Sequence, residues 1–207
     1  GLQDIALADG SKITLGSGSS ILVTLSRGER RIDLEQGEAF FRVAKDPGRP
    51  FVVSACSHRA IAVGTRYDVR RDATDLRVIV TQGIVRLESD SGPGGHTQPT
   101  TLLPAGSVAV ATSTGVVVRS DSVQQAEKLL NWRNGFISFH DTPLTAAVTE
   151  FNRYNSRKIV IGDASIGSMR VGGNFRWTNA DAVGRLLELG FPIRDVNDDG
   201  SIALKRR

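Results

Sequence analysis

Cys56 and His58 stand two residues apart in Cys56-Ser57-His58, a spacing at which two soft metal ligands could act together. In a strand, that spacing puts both side chains on one face. A metal centre needs three or four ligands, and no second cluster accompanies the pair, which therefore reads as structural. His96 lies in a glycine-rich stretch without a neighbouring acid, and His140-Asp141 precedes a helical pattern in which Asp141 suits turn or capping geometry. The run DVNDDGS offers Asp195, Asn197, Asp199 and Gly200 in the order that opens a calcium loop. Such a loop needs a bidentate glutamate at its twelfth position. Counted from Asp195 that position is Arg206, a cation, so a hairpin is the better reading. The run GSGSS at Gly16 to Ser20 has two glycines of a nucleotide loop, but the third falls on Ile21 and no βαβ unit surrounds it. No nucleophile elbow of the Gly-x-Ser-x-Gly type is visible. The sequence therefore predicts no catalytic residue, no metal and no cofactor, and it favours binding over catalysis.

Charge gives little direction. Lys and Arg number 26 against 22 acids, a net +4 over 207 residues. Arg27, Arg30 and Arg31 form one basic group, and Arg66, Arg70 and Arg71 another. With no aromatic stacking motif beside them, they read as solvated strand faces among interspersed acids rather than as a nucleic-acid patch. Cys56 is the only cysteine, so no internal disulfide can form, and its VVSAC context reads as strand. Thr101 to Val118 has spanning length and no charge. Pro104, Gly106, Gly115 and the Ser/Thr residues in it fit short strands around turns better than a membrane helix, and a soluble chain is expected.

The elements that would position a binding surface are mostly strands up to Ser120. Phe40 and Phe41 are adjacent, so a strand sends their rings to opposite faces, and both need apolar cover. That implies a strand held between two layers, or one face kept for a partner. Asp9-Gly10 lies between apolar segments as a hairpin signal. Gln36-Gly37, Gln82-Gly83 and the glycines at 64 and 106 mark further turns, too unevenly spaced for a true solenoid. Ser89 to Thr101 reads as a surface loop. From Asp121 the pattern changes. Val123, Ala126 and Leu130 predict a short helix capped by Asp121 or Ser122. Phe136 to Phe139 predicts a strand, and Leu144, Ala147, Val148 and Phe151 predict a helix with Thr142 as N-cap and Pro143 first. Strands follow over RKIVIGD and SMRVGGNFRW, the latter with a glycine pair marking a bulge. A second helix is capped by Thr178 and ended by Gly190, and the PIRDV and SIALK strands close the chain. The expected fold is mainly β plus α+β. Residues 1–120 form stacked antiparallel β-hairpins in a two-sheet or solenoid-like domain, 121–132 a helical linker, and 133–207 a small βαβ-βαββ domain.

In this order, LADGSKITL, GEAFFRVAKDPGRPFVV, AVGTRYDVRRD, LRVIVTQGIVRL and WRNGFISFHDTPLTAAVTEFNRYN resemble the periplasmic region of FecR-type sigma-factor regulators. The remainder, through SIALKRR, resembles the secretin and TonB short N-terminal (STN) domain found at the end of such regulators. The resemblance implies a transmembrane anti-sigma factor. A cytoplasmic segment holding an extracytoplasmic-function (ECF) sigma factor and one inner-membrane helix would precede Gly1, and this region would lie in the periplasm. It would receive a signal from the N-terminal signalling domain of a TonB-dependent outer-membrane transporter, typically one for a ferric siderophore.

Short strands in small sheets leave edges to which a partner strand can add. Two segments are candidates. Arg170, Val171, Gly172, Gly173, Asn174 and Phe175 form the first: the glycines permit close backbone approach and Phe175 could anchor, although Phe175 also suits a core position. The second is the strand carrying Ile202 and Leu204, with its basic end. Two other classes compete with a signal-receiving module. An envelope assembly component related to secretin N-terminal domains would form multimers, and a carbohydrate-active enzyme on a β scaffold would need paired carboxylates in a cleft.

Overall fold

The computed structural model describes residues 1–90, 98–198 and 200–207. His96, Asp199 and most of the expected Ser89–Thr101 loop lie outside the described residues. Contacts divide the chain into two compact units, Gly1–Leu130 and Asn131–Arg207.

The first unit is a sandwich of two sheets around one apolar core. Its strands are β1 (Gln3–Ala6), β2 (Lys12–Leu15), β3 (Ser20–Leu25), β4 (Arg30–Gln36), β5 (Glu38–Arg42), β6 (Phe51–Ala55) and β7 (His58–Ala62). They continue as β8 (Arg66–Asp72), β9 (Asp75–Gln82), β10 (Ile84–Ser89), β11 (Thr101–Pro104), β12 (Ser107–Thr112) and β13 (Gly115–Ser120). One sheet has the order β1-β2-β5-β8-β9-β12-β13, the other β11-β10-β7-β6-β4-β3. Thr101 to Val118 is thus strand and turn, in keeping with Pro104, Gly106 and Gly115. Every neighbouring pair is antiparallel except β4 with β6, which run parallel because β5 lies between them in sequence but in the other sheet.

Alternation explains the core. Ile13 and Leu15 of β2, Ile32 and Leu34 of β4, Phe41 of β5 and Val78 and Val80 of β9 all point into one cluster. Phe41 packs between Phe51, edge-on at 5.7 Å, and Tyr67, stacked at 5.3 Å. Phe40 points to the opposite face of β5 and is also buried, so the expectation of cover on both sides holds.

The turn glycines act differently from the sequence expectation. Asp9-Gly10 does close a hairpin, β1 to β2. Gly37, Gly64, Gly83 and Gly106 instead sit where the chain leaves one sheet for the other. At Gly37 the backbone has φ 84°, and a Cβ would collide with Ser19 Oγ at the neighbouring corner. Gly106 has φ 93°, and a Cβ there would strike the Asp121 carbonyl oxygen. The hairpin joining β6 to β7 is made by Cys56 and Ser57, both left-handed at φ 49° and 60°. Cys56 is therefore a turn residue, and the Cys56-x-His58 pair does not share a strand face. His58 is buried and its Nδ1–H donates to the Cys56 carbonyl at 2.7 Å.

Helix α1 (Val123–Leu129) is capped by Ser122, whose Oγ accepts from the Gln125 amide. It packs on β9 and β12, so of the expected linker 121–132 the part up to Leu130 belongs to the first unit, and Asn131 and Trp132 to the second.

The second unit runs β14 (Phe136–Pro143), α2 (Leu144–Tyr154), β15 (Ile159–Ile161), β16 (Arg170–Arg176), α3 (Ala180–Gly190), β17 (Ile193–Asp198) and β18 (Ser201–Arg206). That is the expected order of elements. β14 pairs with β16 in a two-stranded ribbon, and β15-β18-β17 form a three-stranded sheet. Leu144, Val148 and Phe151 of α2 and Val183 and Leu187 of α3 fill a core with Ile159, Val171, Ile193, Ile202 and Leu204. Trp177 anchors it, stacked on Tyr154 at 5.5 Å with its Nε1–H donating to the Trp132 carbonyl.

Two caps differ from expectation. Thr142 does not cap α2: it is paired with Val171 in β14, because pairing resumes after an irregularity between Phe139 and Thr142. Pro143 takes the cap position without a side-chain bond, and the first amides of α2 donate to the Met169 and Gly167 carbonyls. Asn179, not Thr178, caps α3 by accepting from the Ala182 amide.

Candidate functional site

The ribbon of β14 and β16 presents the first candidate segment much as its composition suggests. Among the described residues, β14 is the only strand that pairs with β16, so the other backbone edge of β16 is unpaired. Gly172, Gly173 and Asn174 are exposed along it, as are Arg170 and Arg176 at its ends. Val171 is buried, and Phe175 is half-buried beside Phe139, ring centres 5.7 Å apart. The glycine pair lies opposite a bulge carried by the partner strand: His140 and Asp141 face the single residue Gly172, and Asp141 is left-handed at φ 46°. Asp141 thus does turn work, while the Arg170 guanidinium donates to its carbonyl.

Beneath the ribbon lies a narrow apolar cleft with only about 10 Å³ of free volume. Phe139 and Phe175 from the ribbon, Leu144 and Val148 from α2, and Val183 and Leu187 from α3 line it. The cleft adjoins an open strand edge, so a strand added there would carry alternate side chains towards apolar cover. Chemically the edge can pair with backbone, and the half-buried rings of Phe139 and Phe175 lie beside it. Among the described residues, no cluster of His, Cys, Asp and Glu could hold a metal ion.

The second candidate segment is corrected. β18 is the middle strand of its sheet, parallel to β15 on one side and antiparallel to β17 on the other. Its backbone has no free edge, and Ile202 and Leu204 are buried in the core. Four apolar-to-small residues, Ile202 to Leu204 among them, read equally as an edge or as a central strand, and the parallel partner β15 decides it.

Paired carboxylates do occur, in the first unit. Glu38 and Asp68 stand on the outward face of the seven-stranded sheet, where Glu38 Oε1 meets Arg77 at 2.5 Å and Asp68 Oδ2 lies 3.7 Å from the same guanidinium. Burial, reinforced by the neighbouring Glu38, pushes the Asp68 carboxyl well above the usual carboxylate range against the pull of Arg77. Asp68 is fully buried and Glu38 nearly so, which leaves no opening there for a sugar.

The arginines are also redistributed. Arg30 is not solvated: it is wholly buried, paired with Asp9 at 2.8 Å. It donates further to the Ala44 and Arg49 carbonyls and lies over the Phe51 ring. Arg70 pairs with Asp72 and Arg71 donates to the Glu35 carbonyl, whereas Arg66 is exposed. A single Arg-to-Asp distance cannot be read from sequence positions 21 apart, which is why Arg30 looked like surface.

Among the described residues, no helix is long and apolar enough to cross a membrane. No curated protein matches the sequence. Two crystal structures of a candidate anti-sigma factor from Parabacteroides distasonis ATCC 8503, at 1.65 and 2.50 Å resolution, share the fold. Their TM-scores are 0.80 and 0.77, each is 20% identical in sequence, and each alignment covers 100% of this chain and 95% of the other. Residues 1–86, which hold β1 to β9 and the start of β10, match the model of the FecR protein family.

Proposed function

We propose that this chain is the non-catalytic, signal-receiving region of a FecR-type anti-sigma regulator. Its second unit, STN-like in its order of elements, docks the N-terminal signalling domain of a TonB-dependent outer-membrane transporter. The observation that carries the reading is the unpaired edge of β16 beside an apolar cleft, in a chain whose residues 1–86 match the FecR family. The partner adds a strand to that edge. Backbone bonds supply affinity, and the side chains that reach Phe139 and Phe175 supply selectivity. Gly172 and Gly173 carry no side chain to obstruct the approach. On this reading the region faces the periplasm, and a membrane helix and sigma-binding segment upstream of Gly1 pass the signal to an ECF sigma factor.

The test is calorimetric titration of the chain with the cognate signalling domain, followed by hydrogen exchange on the complex. Binding with slowed exchange confined to β16 and its neighbours supports the reading. Absence of heat and of an elution shift at high concentration removes it, and protection confined to the first unit moves the contact elsewhere. Ring-like multimers of the chain alone by light scattering would favour an envelope assembly subunit instead.

A further inference from the structure

The outward face of the seven-stranded sheet carries a row of cations that the docking reading does not use. Lys12 on β2 stands opposite Arg42 on β5, and Arg42 stands opposite Arg66 on β8. Gln82 on β9 continues the row. Side chains directly opposite in an antiparallel pair have Cβ atoms about 5 Å apart, and like charges there repel. All three cations are exposed, and among the described residues none of them forms an ion pair. On the same face, four residues further along β5 and β8, Glu38 stands opposite Arg70 and Arg70 opposite Arg77 on β9, but there each cation has a carboxylate, Glu38 with Arg77 and Asp72 with Arg70. An unrelieved row of like charge is therefore a local feature of one end of the sheet.

That row lines an open concavity of about 320 Å³. No carboxylate lines it. The Arg42 guanidinium lies 6.0 Å from the Phe40 ring, which holds it down along the sheet. Thr65, at the corner after Gly64, also lines the concavity; it is 2% exposed and its Oγ1 has no hydrogen-bond partner. A buried hydroxyl without a partner, beside three unpaired cations, is a polar arrangement that lacks its counterpart.

We infer that this concavity binds a phosphate group, with Lys12, Arg42 and Arg66 supplying charge and Gln82 and Thr65 supplying hydrogen bonds. Guanidinium forks match the oxygens of a phosphate, and lysine adds a point charge. A single multiply charged anion relieves the mutual repulsion of all three cations, which one carboxylate does not. The group arrives either on a soluble phosphate ester or as a phospholipid headgroup; the recognition chemistry is the same. The inference is independent of the docking at β16.

The experiment is a titration of the whole chain with inorganic pyrophosphate at about 0.1 M salt, where bulk charge effects are already screened beyond about 10 Å. Amide shifts should saturate and centre on Lys12, Arg42, Thr65 and Arg66. Arg42→Ala with Arg66→Ala should weaken binding by about tenfold or more, consistent with loss of two charge-assisted contacts. Arg27→Ala with Arg86→Ala, an equal loss of charge elsewhere, should leave it unchanged, and thermal melts of both variants confirm that they fold. Equal weakening in the two double variants, or shifts that do not saturate, overturns the inference. Binding to phosphatidic acid vesicles that pyrophosphate displaces assigns the headgroup, and pyrophosphate binding without vesicle binding assigns a soluble ester. Tighter binding of an oligoglutamate peptide than of pyrophosphate overturns the site in favour of an acidic protein partner.

Discussion

Arg30 and Asp9 tie the first hairpin turn to β4 and to the loop before β6. Removing one partner of such a buried pair leaves an uncompensated charge. Asp9→Ala should therefore cost about 3–5 kcal/mol in urea unfolding at neutral pH. Burial alone would raise the Asp9 carboxyl, but hydrogen bonds from Ser11 and Arg30 outweigh it and hold the group below 3.8. A lowered folded value means stability that is present above the unfolded value and lost as pH falls through the folded one. The gap between wild type and Asp9→Ala should accordingly narrow below about pH 4, and a constant gap down to acid would contradict this. Asp68 has the opposite sign. Its raised folded value makes the protonated form the stable one, so its contribution is lost as pH rises above 3.8 through the folded value. Asp68→Asn keeps the shape without the charge and should raise the melting temperature at pH 7 while flattening the pH profile; a lower melting temperature at neutral pH would speak against it. Phe41→Ala should cost about 3–5 kcal/mol by equilibrium unfolding, since three rings meet there. The two adjacent phenylalanines were legible in the sequence because strand alternation fixes their directions. The roles of Arg30 and Asp68 were not, because burial of a charged residue depends on partners far away in the chain.

Turns decide what the sequence reveals about elements. Gln-Gly before an apolar run looks the same at a hairpin and at a corner between sheets, so Gly37 and Gly83 could be read as turns but not assigned to either. Cys56-Ser57, a true hairpin turn, carries no Gly, Asn or Asp for its left-handed positions and was missed. The corner at Gly37 gives a test: Gly37→Ala must hold a left-handed backbone, at about 1–2 kcal/mol, and displace Ser19 as well. Its denaturation midpoint should fall further than that of Gly28→Ala, where a Cβ meets nothing within 4 Å. Equal losses would show that the corner is not constrained. In the second unit, alternation and helical spacing found every strand and α-helix from β14 to β18, but not the 3-10 turn Ala164–Ile166. They did not find the end of β14, because pairing resumes beyond the bulge and takes Thr142 and Pro143 from the expected helix start. An open edge was expected from short strands in small sheets, and β16 has one. The central place of β18 was not legible, since a parallel neighbour leaves no mark on a strand's own residues.

At the scale of the whole molecule, the sequence pattern changes near residue 120, whereas contacts divide the chain after Leu130. Ala126 and Leu130 are fully buried, so α1 completes the first unit rather than bridging away from it. A fragment ending at 120 should melt below one ending at 130, because Ile79 on β9 would lose the helix that packs on its strand. Fragment 131–207, with a core of its own, should unfold in one cooperative transition; non-cooperative melting would mean that its core is incomplete.

The passage of the chain from sheet to sheet has a further outcome. Because the strands of each sheet come from both early and late sequence, a protease that cuts one corner severs a peptide bond without freeing a layer. Both pieces remain laced through the same interior. A nicked first unit should travel as one particle on a sizing column and separate only in denaturant.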